Sequence, residues 1–378
     1  MSLPLFNEAE PGAWARGESP ELDSHWRREV RQAITSLEGL DQALTLSAAE
    51  RAGVERALAG GFPLAITPYY LSLCDPHDPS CPIRLQCVPR IAEAQIGRGD
   101  LRDPLGEEAH EVAPHLVQRY PDRVLLLVTD RCSVYCRFCT RSRMVGAGGG
   151  VRSRQQLAAA FEYIRTHPEI QDVIVSGGDP LVMSDERVAG LLGELAGIEH
   201  VLTVRVASRT PVTLPQRITD TLCRALRSHP AVWLMTHFNH PKELTPQARE
   251  ACARLVDHGI PVMNQSVLLR GVNDDAATLE RLFRGLVRTR VRPYYLLQAD
   301  PVRGTSHLRT PLGRGIEIIG QLQGRLSGIA LPKFIVDTPG GKGKVPVGPE
   351  VIVRREGPNT TLRTFRGELV DYVDPDET

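Results

Sequence analysis

The sequence predicts an α/β fold, an incomplete (β/α)6 barrel with a helical N-terminal arm and a small C-terminal extension. Three observations carry this. From residue 124 to 298, short β-branched runs alternate with amphipathic helical stretches; polar and cysteine-bearing segments recur just after those runs; and the texture of the chain changes before residue 121 and after residue 332. The 378 residues therefore divide into an arm over 1–120, a barrel over 121–332 and a terminal segment over 333–378.

Helical stretches around 21–45 and 47–59 open the arm. The second starts behind Ser47 with Glu50 three residues on, a capping box in which each side chain satisfies the other's backbone N–H. A Pro-rich segment follows over 62–115, and the whole arm reads as a helical arm or an oligomerisation extension, which leaves a homo-oligomer open as one arrangement. The predicted strands are 124–129, 172–176, 202–206, 232–236, 261–268 and 293–298. Between them, 153–167 places Leu157, Phe161 and Ile164 on one face behind a serine cap, and 184–197 does the same with Val188, Leu191, Leu192 and Leu195. Helices near 217–228, 245–258 and 275–289 continue the pattern. Strands separated by helices pair in parallel through long crossovers, and six such units fall short of the eight that close a barrel. After Lys333 come one apolar strand, a glycine-rich turn and two β-like runs, 351–355 and 360–365.

Charge excludes some functions. Lys+Arg and Asp+Glu are equal at 45 each, so no long-range field draws the protein to nucleic acid or an anionic membrane. No apolar run approaches the ~20 residues of a membrane span. The opening MSLPLFNEAEPGAW lacks the basic-then-apolar order of a secretory signal, so a cytoplasmic protein acting on a small molecule is expected.

Within that frame the most telling segment is the loop after the first predicted strand, where Cys132, Cys136 and Cys139 stand in C-x3-C-x2-C spacing. A four-iron cluster normally takes four cysteine thiolates, so three leave one iron open to a small molecule. Tyr135 and Phe138, each just before a cysteine, suit a loop that shields a cluster from water. A structural zinc site would want a second ligand pair close downstream, which the sequence lacks, and three thiols are an odd number for disulfides. The loop resembles that of the radical S-adenosylmethionine superfamily. Cys74, Cys81 and Cys87 read as unliganded reduced thiols, with a second metal as the alternative; Cys223 and Cys252 read as small core residues.

Ser176-Gly177-Gly178-Asp179-Pro180 follows the second predicted strand, where a tight turn and a ligand-binding backbone explain the glycines about equally. His237 and Asn239 follow the fourth, Gln265 lies late in the fifth and Asp300 follows the sixth, so polar residues converge on the rim where such barrels do chemistry. Taken in order, RYPDR at 119–123, CRFCTRSR, SGGDPL, THFNHP and VDTPGGKGKVP closely resemble the lysine 2,3-aminomutase family, over about residues 60–370.

That resemblance implies three cofactors: a four-iron four-sulfur cluster on Cys132, Cys136 and Cys139, S-adenosylmethionine on its open iron, and pyridoxal 5′-phosphate on Lys344. Lys342 is a rival for the last role, since the family usually has glycine there. Arg119, Tyr120 and Arg123 match residues around the pyridoxal cofactor. Ser176, Gly177, Gly178 and Asp179 match the motif for the methionine amino group, with His237 and Gln265 as further cofactor contacts. Arg141 matches the residue that pairs with the substrate α-carboxylate; Asp300 and Asp337 match the two carboxylates that hold a lysine side-chain ammonium. The implied activity interconverts L-α-lysine and L-β-lysine, with electrons from a flavodoxin- or ferredoxin-type reductant. The alternatives are an aminomutase for arginine or glutamate, an isomerase of a lysine on elongation factor P, and an iron-sulfur electron-transfer module without chemistry of its own.

Overall fold

A computed structural model describes residues 23–375. Ten strands join one mixed sheet in strict chain order: β1 (Glu111–Ala113), β2 (Leu116–Tyr120), β3 (Arg123–Thr129), β4 (Asp172–Gly177), β5 (Thr203–Ala207), β6 (Val232–Thr236), β7 (Val262–Leu268), β8 (Arg292–Gln298), β9 (Lys333–Asp337) and β10 (Lys344–Pro346). From β3 to β9 every neighbour is parallel, while β1 and β2 lead in antiparallel and β10 folds back on β9.

Alternation explains how one sheet serves two purposes. Val173 and Val175, Val204 and Val206, and Leu234 point to the face covered by the crossover helices and join Leu157, Phe161, Ile164, Val188 and Leu192 in the main core. The intervening residues, Ile174 and Ser176, Arg205 and Ala207, Met235, Gln265 and Val267, Tyr295 and Leu297, line a cavity of about 520 Å³. A strand's period of two thus sends apolar side chains to the core and mixed ones to the cavity.

The crossover helices start where the sequence places their caps. Ser153 accepts from the Gln156 N–H ahead of helix Arg154–Thr166, and Ser184 accepts from the Arg187 N–H ahead of Asp185–Ala196. The later helices are Asp220–Leu226, Pro246–Asp257 and Ala276–Arg288.

Two expectations need correction. The parallel set has seven strands rather than six, because the apolar strand expected in the terminal segment, β9, pairs with β8 through Leu296–Phe334 and Leu297–Ile335. Its crossover is a helix that sequence reading passed over, Leu312–Leu322, where Gly315 lets the helix ride on Phe334: a Cβ there would sit 2.1 Å from the ring. The sheet also takes β1 and β2 from the arm, so it runs across both 120/121 and 332/333.

In the arm, helices Asp23–Arg31, Leu37–Ala43 and Ala48–Leu58 are present, and Ser47 and Glu50 form the reciprocal cap. The Glu50 carboxylate also pairs with Arg84 at 2.8 Å, both fully buried. Residues 21 and 22 of the first predicted helix, and the opening segment read for a signal, lie outside the described residues. Cys74, Cys81 and Cys87 are buried free thiols, the first and last 3.8 Å apart at sulfur; Cys223 and Cys252 are buried as well. At the other end β11 (Ile352–Glu356), β12 (Asn359–Arg363) and an unanticipated β13 (Leu369–Val373) form a separate antiparallel sheet. No helix among the described residues is long and apolar enough to cross a membrane.

Candidate active site

The cysteine loop leaves β3 and is held down by its own ends and by the arm. The Asp130 carboxylate accepts the N–H groups of Gly149 at 2.6 Å and Gly150 at 2.8 Å, cinching the base of the loop. Arg137 pairs with Glu93 and donates to the Pro63 carbonyl at 2.8 Å, while its guanidinium lies 4.5 Å over the Phe62 ring. Cys132, Cys136 and Cys139 all reach the cavity. Burial, with repulsion from Asp179 and the neighbouring thiols, holds Cys132 well above the usual thiol range, and burial with repulsion from Cys136 pushes Cys139 up to about 12. As free thiols Cys132 and Cys139 keep their protons; a cationic metal cluster would reverse that preference. Among the described residues no three His, Cys, Asp or Glu side chains converge on a single-ion position.

The double glycine is required by this loop. Gly177 has φ of 132°, and a Cβ there would lie 2.1 Å from the Thr129 carbonyl oxygen; at Gly178 it would lie 2.3 Å from that of Arg131. The Gly178 and Asp179 N–H groups donate to those same two carbonyls at 2.6 and 2.7 Å. Both glycines line the cavity as well, so the close approach leaves their backbone bare to a ligand. The Asp179 carboxylate is spent within the protein, accepting from Ser208 at 2.6 Å and from the Arg209 N–H at 2.8 Å.

Arg209 is a site residue that sequence reading missed. Its guanidinium donates to Cys136 Sγ at 2.8 Å, Tyr70 at 2.9 Å, Gln86 at 2.5 Å and the His237 carbonyl at 3.1 Å, and pairs with buried Glu243 at 2.8 Å. A signal existed: Ser208-Arg209 directly follows β5, at the same rim as the other polar strand ends. The imidazole of His237 lines the cavity and is pushed down to about 4 by burial and by Arg209 and Arg141, so it is neutral. Gln265 lies half-buried on the cavity wall.

At the β9–β10 hairpin, Lys344 and Asp337 face each other in register. The Lys344 ammonium rests on Asp337, and Arg119 donates to the other carboxylate oxygen at 2.5 Å. The Tyr120 hydroxyl accepts the Lys344 N–H at 2.8 Å, and Arg123 stacks on the Tyr120 ring at 3.8 Å. Gly340, Gly341 and Gly343 all take positive φ in the turn. Lys344 lines the cavity; Lys342 is exposed and does not. A primary amine open to the cavity, with Arg119, Tyr120 and Arg123 near it and Arg205 on the same cavity lining, fits an aldehyde cofactor bearing a phosphate.

Arg141 and Asp300 occupy the space between the two ends. Arg141 reaches Ser176 Oγ from Nη1 at 3.3 Å, while its Nε lies 2.8 Å from Glu107, a second residue the sequence did not signal. Asp300 accepts from the Thr140 hydroxyl at 2.7 Å, and burial pushes its carboxyl up to about 6. For Asp337, burial pulls upward too, but Lys344 and Arg119 outweigh it and hold the carboxyl below its ordinary value.

The model of the radical SAM superfamily matches residues 126–282, and one described as lysine-2,3-aminomutase matches 319–378. The chain is 46% identical over 351 residues to the L-lysine 2,3-aminomutase of Fusobacterium nucleatum, covering 93% of this chain and 82% of that one. It is 47% identical over 371 residues to that of Clostridium subterminale, covering 98% and 87%. The glutamate 2,3-aminomutase of Clostridioides difficile is 39% identical over 351 residues, covering 93% and 83%. With three thiols on one loop, a cavity-facing lysine on the last hairpin and identity of this extent along the whole sheet, the chain belongs to the lysine 2,3-aminomutase family.

Proposed function

We propose that this chain is an isomerase that moves the amino group of L-lysine from Cα to Cβ. The observation that carries the substrate assignment is the pair Asp300 and Asp337 in one cavity with Arg141. Opposite unit charges about 4 Å apart are worth roughly 4 kcal/mol at an effective dielectric near 20, so two carboxylates favour a cationic side chain and repel a glutamate. Asp337 already carries an alkylammonium, that of Lys344, which supports its capacity to hold the substrate's.

Cys132, Cys136 and Cys139 would hold the four-iron cluster. S-adenosylmethionine would lie along Ser176, Gly177, Gly178 and Asp179 with His237 and Gln265 beside it. Pyridoxal 5′-phosphate would join Lys344 within reach of Arg119, Tyr120 and Arg123. When bound, these groups supply a hydrogen-abstracting radical and a carbonyl that carries the migrating nitrogen. The chain's own part is position and charge: Arg141 orients the α-carboxylate, the two aspartates fix the far end, and Tyr70, Tyr135 and Phe138 shut water away from the cysteine loop. Electrons would come from a flavodoxin- or ferredoxin-type reductant. The chain-ordered sheet with one face lining the cavity supports an incomplete β/α barrel as the architecture, now with seven parallel strands.

Anaerobic turnover of lysine, arginine and glutamate side by side, with the products identified, tests the assignment. β-Lysine as the main product is expected. Preference for glutamate would sink the reading, and preference for arginine would keep the cation site while replacing its occupant.

A further inference from the structure

The orientation of Arg141 is set by a residue from the N-terminal arm. Glu107 is 2% exposed and lines the cavity. Its Oε1 accepts from Arg141 Nε and lies equally close, at 2.8 Å, to Nη2; its Oε2 accepts from Arg143 at 2.9 Å. Arg143 in turn pairs with Asp103 at 3.1 Å and Glu108 at 3.3 Å, so it fastens the carboxylate without displacing Arg141.

The segment that carries Glu107 also braces the turn before Lys344. The Gly340 N–H donates to the Pro104 carbonyl at 2.8 Å, and a Cβ on Gly341 would sit 2.9 Å from the Leu105 carbonyl oxygen. Residues 103–110 therefore form a strap touching both Arg141 and the lysine turn.

A guanidinium presents two edges to carboxylates, one side-on through Nε and Nη2 and one end-on through Nη1 and Nη2. Glu107 takes the side-on edge. The end-on edge is left toward the cavity, with Nη1 steadied by Ser176 at 3.3 Å. We propose that Glu107 is a positioning residue that locks Arg141 with its end-on edge toward the substrate α-carboxylate, so that carboxylate recognition depends on the arm. This rests on the reading of Arg141 as the carboxylate site.

The test compares lysine with 1,5-diaminopentane, which has both of lysine's nitrogens and no carboxylate. In Glu107→Gln the lysine KM should rise about tenfold to a hundredfold, the scale of a misplaced binding group, with kcat changed far less. The inhibition constant of diaminopentane should stay at the parent value, and the same substitution should add nothing in an Arg141→Gln background. Glu107→Asp, still charged but one methylene short, should shift the lysine KM in the same direction by less, and it carries the same test if the glutamine variant does not fold. A KM and an inhibition constant that rise together, an unmoved KM, or an effect that persists without Arg141 would each overturn the proposal. Failure of the function itself is separate, since it appears as absent lysine turnover in the parent.

Discussion

Lys344 sets its ammonium on one oxygen of Asp337 while Arg119 holds the other at 2.5 Å. The carboxylate proposed for the substrate's far end therefore also serves the lysine proposed to carry the cofactor, and Asp337→Asn would disturb both. Asp300 is the cleaner probe, because among the described residues its carboxylate takes its side-chain hydrogen bond from Thr140 and makes none to Lys344. Asp300→Asn should cost lysine use about 2–5 kcal/mol, roughly 30-fold to several thousand-fold in KM, the range for removing one partner of a buried charge pair. The pyridoxal absorbance should be unchanged. A variant with the parent's KM would remove Asp300 from the ammonium site.

The same residue gives a pH dependence. Its carboxyl is pushed up to about 6 by burial, against 3.8 ordinarily, so it loses its charge as pH falls through about 6 while lysine stays cationic. The kcat/KM for lysine should fall on that limb, and Asp300→Asn should flatten it. For stability the sign is opposite: a raised folded value means the contribution is fully present below about 4 and lost as pH rises through about 6. Asp337, held low by Lys344 and Arg119, contributes above its ordinary value and loses that as pH drops.

Cys136→Ala should bring bound iron near zero and abolish S-adenosylmethionine cleavage, with little change in thermal midpoint. The loop keeps its Asp130 and Arg137 anchors without that sulfur. Cys74→Ala should retain its iron. Full iron in the first variant, measured anaerobically, would defeat the cluster assignment.

Borohydride reduction followed by peptide mapping should place the pyridoxyl group on Lys344, whose side chain reaches the cavity. A label on exposed Lys342 would mean that the turn carries its cofactor two residues early.

Gly177→Ala sets a methyl group 2.1 Å from the Thr129 oxygen at a backbone conformation L residues avoid. Destabilisation of roughly 1–3 kcal/mol by denaturant titration is expected, together with weaker iron retention, since the cysteine loop must move aside. Wild-type iron affinity would show that the loop tolerates the shift.

Strands β3 to β8 and their helices were legible because β-branched runs and 3.6-residue periodicity are local. The three cysteines and Lys344 were legible as motifs. The strand β9 was readable as a strand but not as the seventh of the parallel set, since pairing is a long-range choice. Its helix, Leu312–Leu322, was obscured by Gly313, Gly315 and Gly320, which lower helix propensity while at least Gly315 serves packing. Glu107 and Arg209 carry no motif at all. Each becomes a site residue only through partners at least 28 residues away, Arg141 for one and Glu243, Cys136, Gln86 and the His237 carbonyl for the other.

The β9–β10 hairpin has a consequence in time. Arg119 meets Asp337 across 218 residues and Tyr120 meets Lys344 across 224, so the cavity's last wall is made long after its first. At about 5–20 residues per second, translation puts roughly 10–40 s between the emergence of Cys132 and that of Lys344. Over that interval Cys132, Cys136 and Cys139 exist without the lysine that completes their pocket, so three thiols meet the cell's metals and oxidants before the far wall of the cavity has been made.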